Sequence, residues 1–118
     1  MIAIVDDHQT LRQGMASLLR SLGYRCAAFA SGDEFLESDQ VSNTSCLITD
    51  VRMPGLSGLD LQDWLVARRH RFPIIFITGQ PDDITRTRAI KAGAAAFLSK
   101  PIEYNRLFGY LDRTVKAV

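Results

Sequence analysis

This chain of 118 residues is short of several things, and each shortage excludes a class. It has only two cysteines, Cys26 and Cys46, both in or beside apolar runs. That is too few for a disulfide-stapled scaffold, and buried thiols in a reducing cytosol are expected. It has almost no net charge, with 14 Lys and Arg against 13 Asp and Glu and a balance of +1 at pH 7. No basic run is longer than Arg68-Arg69. Bulk electrostatics therefore make no case for a nucleic acid or a membrane surface as partner. No apolar stretch approaches the roughly 20 residues that span a bilayer. The N-terminus lacks the basic leader and apolar core of a signal peptide, because Asp6-Asp7 arrives too early. A cytoplasmic location is expected, in which the Asn43-Thr44-Ser45 sequon carries no meaning. Internal repeats and low-complexity tracts are absent, so residues 1–118 are expected to form one domain. The apolar fraction of 47% is ordinary for a globular fold.

What is present is a strand-helix unit repeated five times. Met1 to Val5 is an apolar run closed by Asp6-Asp7. A helix is expected from about Thr10 to Leu22, with Leu11, Met15, Leu18, Leu19 and Leu22 on one face. Asp6 or Asp7 could cap it, and Gly23 lies where it ends. Arg25 to Phe29 reads as a second strand. Ser31 and Glu34 form a capping-box pattern for a helix that carries Phe35 and Leu36 inward. Asp39 to Ser45 reads as loop. Cys46 to Thr49 is a third strand that ends at Asp50. Pro54-Gly55 and Ser57-Gly58 make a tight loop, and Ser57 with Asp60 opens a helix carrying Leu61, Trp64, Leu65 and Arg68. Ile74 to Ile77 is a fourth strand that closes at Thr78-Gly79. Asp82 or Asp83 can cap a helix running to Ala92, which Gly93 stops. Ala95 to Leu98 is a fifth strand, followed by Ser99-Lys100-Pro101, whose Lys-Pro bond could be cis. A last helix runs from about Glu103 to Val115, with Leu107, Leu111 and Val115 on one face.

The strands are continuous apolar runs, as expected when helices cover both faces of a parallel sheet. The fold class is therefore α/β, an open doubly wound sheet of five parallel strands and five helices. Ligands of such sheets bind beyond the C-terminal strand ends. Asp6-Asp7, Asp50, Thr78 and Lys100 all fall there.

Each of these residues has a plain reading when taken alone. Asp6 or Asp7 could be a helix cap, Thr78 a β-branched strand residue and Lys100 a surface lysine. Together they describe a site. Three carboxylates held close repel one another, and Mg2+ relieves that with an oxygen-rich, near-octahedral shell. The loop from Val51 to Pro54 can add a backbone carbonyl. Calcium lacks its spaced loop here. Zinc has only His8, with no second histidine or cysteine at ligand spacing. A carboxylate can also attack phosphorus, and the charge that develops needs a metal, an ammonium and hydrogen-bond donors. Lys100, the Thr78 hydroxyl and the Gly79 amide are suited to that.

These residues in this order resemble the receiver domain of two-component response regulators. The landmarks are Val5-Asp6-Asp7, Asp50 to Gly55, Gly58, Ile77-Thr78-Gly79, Lys91 to Ala94, and Phe97 to Pro101. The resemblance extends over the whole chain. The stretch Arg52 to Gly58 and the Thr78-Gly79 pair look most like the FixJ-type branch. The resemblance implies a flavodoxin-like (CheY-like) fold with strand order 2-1-3-4-5. It implies Asp50 as phosphoacceptor, and Asp6, Asp7, Asp50 and the Arg52 carbonyl as Mg2+ ligands. It implies Lys100 as the partner of the phosphoryl group, Thr78 as the switch hydroxyl and Phe97 as the aromatic switch. Arg52 and Gln80 occupy positions that tune hydrolysis in the family. The partner implied is a sensor histidine kinase, and DNA is reached only through a C-terminal domain that this chain does not include.

If Thr78 follows the phosphoryl group inward, Phe97 can turn into the vacated space. A face made by the fourth helix, fifth strand and fifth helix then changes, and the expected consequence is a homodimer through it. Ile84, Arg88, Lys91, Ala95 and Phe97 are its candidate residues, with Ile84 equally readable as core. Two other classes compete. A small phosphatase or phosphotransferase needs substrate room and a separate acid or cap, which this short chain lacks. A degenerate interaction module is expected to have lost an acid or the lysine, and none is lost. A flavin-binding member of this topology wants a phosphate-cradling first loop, where Asp6-Asp7-His8 is hostile.

Overall fold

The five apolar runs form five strands in a computed structural model that describes residues 1–114. They are β1 (Ile2–Val5), β2 (Cys26–Phe29), β3 (Cys46–Asp50), β4 (Ile74–Thr78) and β5 (Ala96–Ser99). All pairings are parallel and the strand order is β2-β1-β3-β4-β5. Five helices connect and follow them: α1 (Gln9–Ser21), α2 (Gly32–Glu37), α3 (Gly58–Ala67), α4 (Asp83–Lys91) and α5 (Tyr104–Thr114). The expected fold class and order are the observed ones. Val115, expected on the buried face of the last helix, lies outside the described residues.

Alternation along the strands divides the core in two. Ile2, Ile4, Cys46, Ile48, Ile75, Ile77, Ala96 and Leu98 face α1 and α5, where Met15, Leu19, Leu107 and Leu111 are buried. Ala3, Val5, Leu47, Ile74 and Phe76 face α2, α3 and α4, meeting Phe35, Leu61, Leu65 and Ala89. Burial on both faces explains why the strands read as unbroken apolar runs. The helix α4 is the exception in this packing, since Ala89 is its one buried residue.

Several local expectations change. The segment read as loop contains a turn of 3-10 helix at Val41–Asn43, held by Thr44 donating its hydroxyl to the Gln40 carbonyl at 2.9 Å. Leu22 is not on the buried face of α1. It sits at the helix end, 46% exposed, because the chain turns away there through Gly23 at φ 95°. Neither Asp6 nor Asp7 caps α1; His8 holds that position without a side-chain bond. Ser31 caps α2 by accepting from the Glu34 amide at 3.0 Å. Ser57 and Asp60 make both halves of a capping box on α3. The Lys100-Pro101 bond is cis.

Cys26 and Cys46 are both free. Each pairs in register with Ile2, from opposite sides of β1. Two strand spacings put their Cα atoms about 9–10 Å apart, beyond the reach of a disulfide. Burial pushes the Cys46 thiol up to about 12.

Gly58 carries a constraint on which the site depends. Its amide donates to the Val51 carbonyl at 2.9 Å, drawing the start of α3 against the end of β3. A Cβ added there would overlap the carbonyl oxygen of Asp50. Gly58→Ala must therefore push α3 off the β3 exit. A loss of about 1–3 kcal/mol in unfolding free energy is expected, read from urea denaturation. An unchanged midpoint would show that the loop moves aside at no cost.

Candidate functional site

The register builds the site. Val5 pairs with Thr49, Asp50 with Ile77, and Thr78 with Ser99. One residue further on, the chain still follows the ladder: the amides of Asp6, Val51 and Lys100 donate to Phe29, Ile77 and Thr78 carbonyls at 3.2, 3.2 and 2.7 Å. Asp6, Asp50 and Lys100 are thus neighbours along the C-terminal edge. Alternation gives them the same side, since Asp6 continues Ile2 and Ile4, Asp50 continues Cys46 and Ile48, and Lys100 continues Ala96 and Leu98.

The contacts agree with that placement. Lys100 Nζ lies 2.8 Å from Asp50 Oδ2 and 3.2 Å from Asp6 Oδ2. The side chain of Asp6 is only 1% exposed and that of Asp50 4%. Asp6 Oδ1 accepts from the His8 amide at 2.8 Å and lies 3.1 Å from His8 Nδ1. Its own carbonyl accepts from Arg12 of α1 at 2.8 Å. Asp50 Oδ1 accepts from the Arg52 amide at 3.3 Å. Asp6 Oδ2 is different, because its ion pair with Lys100 is not directed as a hydrogen bond. It is the one buried side-chain polar atom among the described residues left without one. Asp7 points outward with 33% of its side chain exposed, and its Oδ1 lies 3.4 Å from His8 Nδ1.

Ligand atoms of Asp6, Asp7, His8 and Asp50 all lie within 4.8 Å of one another. Three carboxylates and one imidazole suit a hard divalent cation better than zinc, which wants more nitrogen or sulfur. The undirected Asp6 oxygen is a lone pair such an ion would fill. Sequence reasoning placed the three acids together; the His8 ring, 66% exposed, adds a contact to both Asp6 and Asp7.

Burial pushes the Lys100 ammonium down, but the hydrogen bond to Asp50 and the charges of Asp6 and Asp50 outweigh it, and its pKa ends above the ordinary value. Lys100 is therefore a fixed cation at neutral pH. Thr78 is buried, and its hydroxyl oxygen accepts from the Gln80 amide at 3.1 Å, leaving its proton to donate. Gly79 and Gln80 form the open wall of the same cleft, together with Arg52 and His8.

Thr78 and Phe97 share a sheet face. Phe76 and Thr78 alternate toward α3 and α4, and Phe97 pairs in register with Phe76 at a ring separation of 6.2 Å. Phe97 is half-buried. Ile84, 84% exposed, is surface and not core. Arg88, Lys91 and Ala95 are exposed as well.

Two residues escaped the sequence reading and a third was read only in part. Arg12 offers no signal, being one arginine on an amphipathic helix. Gln62 looks like an ordinary helical polar residue, yet it is buried and its Nε2 donates to the Ala89 carbonyl at 3.0 Å, tying α3 to the end of α4. Asp82 was visible only as one of two possible caps. It caps α4 and also meets Arg52 Nη2 at 3.3 Å. Among the described residues no helix is long and apolar enough to cross a membrane.

Comparison with known proteins agrees with this geometry. A family model described as the response regulator receiver domain matches residues 2–112. Nodulation protein W of Bradyrhizobium diazoefficiens is 44% identical over 117 residues, covering 99% of this chain and 50% of that protein. The transcriptional regulatory protein FixJ of the same organism is 34% identical over 115 residues, covering 98% and 56%. The chain thus spans about half the length of the curated relatives it matches. The solved structure of the response regulator StyR superposes with a TM-score of 0.88 at 39% identity, covering 97% of this chain and 58% of that one.

The Lys100 pairs make a measurable prediction. Lys100→Met leaves two buried carboxylates facing each other, and a loss of about 3 kcal/mol is expected in the absence of divalent cations. The pKa of Lys100 is raised on folding, so its contribution is complete below the ordinary value of 10.5 and is lost as pH climbs through the higher folded value. The gap between wild type and variant in urea should stay constant from neutral pH to about 10 and close above that. A gap that closes below pH 9 would contradict this assignment of charge.

Proposed function

This chain belongs to the receiver-domain family of two-component response regulators, and we propose that it is a phospho-accepting signalling switch acting through Asp50. The observation that carries the reading is the Lys100 ammonium held 2.8 Å from Asp50 Oδ2 in a cleft whose other wall is Thr78 and Gly79. One Asp50 oxygen attacks the phosphorus of a phosphohistidine on a sensor histidine kinase. The P–O bond forms as the P–N bond breaks, and the imidazole leaves. Lys100 then trades its contact with the carboxylate for one with a phosphoryl oxygen. The Thr78 hydroxyl and the Gly79 amide donate to others. Hydrolysis reverses the gain, with water attacking phosphorus and the Asp50 oxygen leaving, and Arg52 and Gln80 stand at the cleft mouth where they can tune its rate. Mg2+, held by Asp6, Asp7, Asp50 and the Arg52 carbonyl, would supply the charge neutralisation that brings two anions together. The undirected lone pair on Asp6 Oδ2 and the carboxylate-rich donor set support that fit. The protein assists its own phosphorylation and dephosphorylation and is not otherwise an enzyme.

The output follows from the shared face of Thr78 and Phe97. Drawing Thr78 toward the phosphoryl group frees space on the α4 side, and Phe97 moves into it. The surface of α4, β5 and α5 changes, and Ile84, Arg88, Lys91, Ala95 and Phe97 are its exposed or half-exposed members. A homodimer through α4 and β5 is the proposed result. Residues 1–118 act as a single receiver domain in the cytoplasm, and control of transcription runs through a separate DNA-binding domain, as the relative named a transcriptional regulator suggests.

Incubation with acetyl phosphate and Mg2+ should add one phosphoryl group by intact-mass spectrometry, and Asp50→Asn should abolish the adduct. Absence of an adduct on wild type with Mg2+ demonstrably bound would end the proposal. Sedimentation velocity tests the output separately: the beryllofluoride-loaded protein should sediment faster at high concentration, and an unchanged coefficient would remove the dimer.

A further inference from the structure

Asp82 serves two elements at once. Its Oδ1 accepts the Thr85 amide at 2.8 Å and its Oδ2 accepts the Thr85 hydroxyl at 2.9 Å, which caps α4. The same Oδ2 lies 3.3 Å from Arg52 Nη2. The main chain of Arg52, in turn, donates to Asp50 Oδ1, and Arg52 lines the cleft that opens onto Asp50, Thr78 and Lys100. One arginine is therefore fastened to the acceptor carboxylate by its amide and to the α4 cap by its guanidinium.

The anchoring of α4 makes that link consequential. The helix buries only Ala89, so polar contacts do much of the holding. At its C-terminal end the buried Gln62 amide donates to the Ala89 carbonyl, and Arg88 pairs with Asp63 at 2.7 Å. At its N-terminal end stands the Arg52–Asp82 pair, with side chains 59% and 40% exposed. An ion pair so exposed is weak and easily exchanged.

We propose that Asp82 is a positioning residue that holds the Arg52 guanidinium away from Asp50, and that a phosphoryl group on Asp50 draws it across the cleft. The inference rests on the phosphoacceptor reading above. The competition is unequal. Asp82 offers one negative charge, already shared with the two hydrogens of Thr85. A phosphoryl group offers nearly two charges and several acceptor oxygens, to which a guanidinium can bind in parallel. Thr85 continues to satisfy Asp82 after the exchange, so the α4 cap survives while its tie to the β3 exit is given up. The two Thr85 hydrogen bonds also lower the Asp82 pKa, which keeps its charge in place at neutral pH.

Asp82→Asn separates the two roles, because asparagine caps a helix as well as aspartate but carries no charge. Beryllofluoride with Mg2+ is the probe, and its dissociation constant is measured by calorimetry on wild type, Asp82→Asn, Arg52→Gln and the double variant. Asp82→Asn should bind about two- to fivefold more tightly than wild type, the range of an exposed ion pair. That gain should vanish in the Arg52→Gln background and shrink in 0.5 M salt (about a 4 Å screening length). Equal affinities for wild type and Asp82→Asn, or an equal gain with and without Arg52, would overturn the positioning role. Failure of wild type itself to bind beryllofluoride would overturn the phosphoacceptor reading and this inference with it.

Discussion

One ammonium group placed between two buried carboxylates is the interaction on which this molecule turns. Asp6 and Asp50 are brought side by side by the parallel register of β1 and β3, with no freedom to avoid each other. Buried like charges at that distance are costly unless a cation joins them. Lys100 supplies it from the far edge of the sheet, two strands away from Asp50 and three from Asp6, and can do so only because its stem crosses above β4 at the strand ends. The compensation is partial. Asp7 adds a third carboxylate nearby, and one Asp6 oxygen lacks a directed partner. A surplus of negative charge at a concave edge is what a divalent ion would neutralise. The core, the crossovers and the close approach of Gly58 all work to keep those strand ends in place.

Much of this was legible in the sequence because it depends on local pattern. Unbroken apolar runs signal strands covered on both sides, and an acid, a threonine or a lysine at the end of each run then falls on one edge. The resemblance supplied the strand order, which pattern alone leaves open. What stayed hidden depends on distant contacts. Leu22 fits the helical period of α1, but the chain departs at Gly23 before that position can be covered. Asp82 and Asp83 are equivalent as caps until the fold sets the Asp82 carboxylate against the amide and hydroxyl of Thr85. Gln62 is indistinguishable from a surface glutamine until α4 brings the Ala89 carbonyl to it. Ile84 has the composition of a core residue, yet it lies on the outer side of a helix that buries only Ala89.

The weak burial of α4 is itself informative. Helices are held in proteins mainly by an apolar face, and α1 and α5 follow that rule through Met15, Leu19, Leu107 and Leu111. With one buried alanine, α4 belongs to the low-stability end of the structure, where local rearrangement costs little. Its polar ties differ in kind. The Gln62 bond is buried and has no reason to respond to charge, whereas the Arg52–Asp82 and Arg88–Asp63 pairs are exposed and electrostatic. Of the two exposed pairs, the one with Arg52 stands next to the cleft.

The two faces of the sheet show why a message has to pass through an edge. Asp6, Asp50 and Lys100 alternate toward α1 and α5, while Thr78 and Phe97 alternate toward α3 and α4. A close-packed sheet does not transmit a charge change through its middle without disturbing Ile48, Ile75 or Phe76, all fully buried. At the strand ends that packing stops. The Thr78 hydroxyl lines the acidic cleft while its backbone belongs to β4, beside β5. On the proposed reading it is therefore a point where chemistry on one face becomes packing on the other, and Arg52 is a second such point, by charge rather than by volume. Two couplings that end on the same helix, one at the Phe97 side and one at its cap, need each contribute only part of the few kcal/mol that separate two packings.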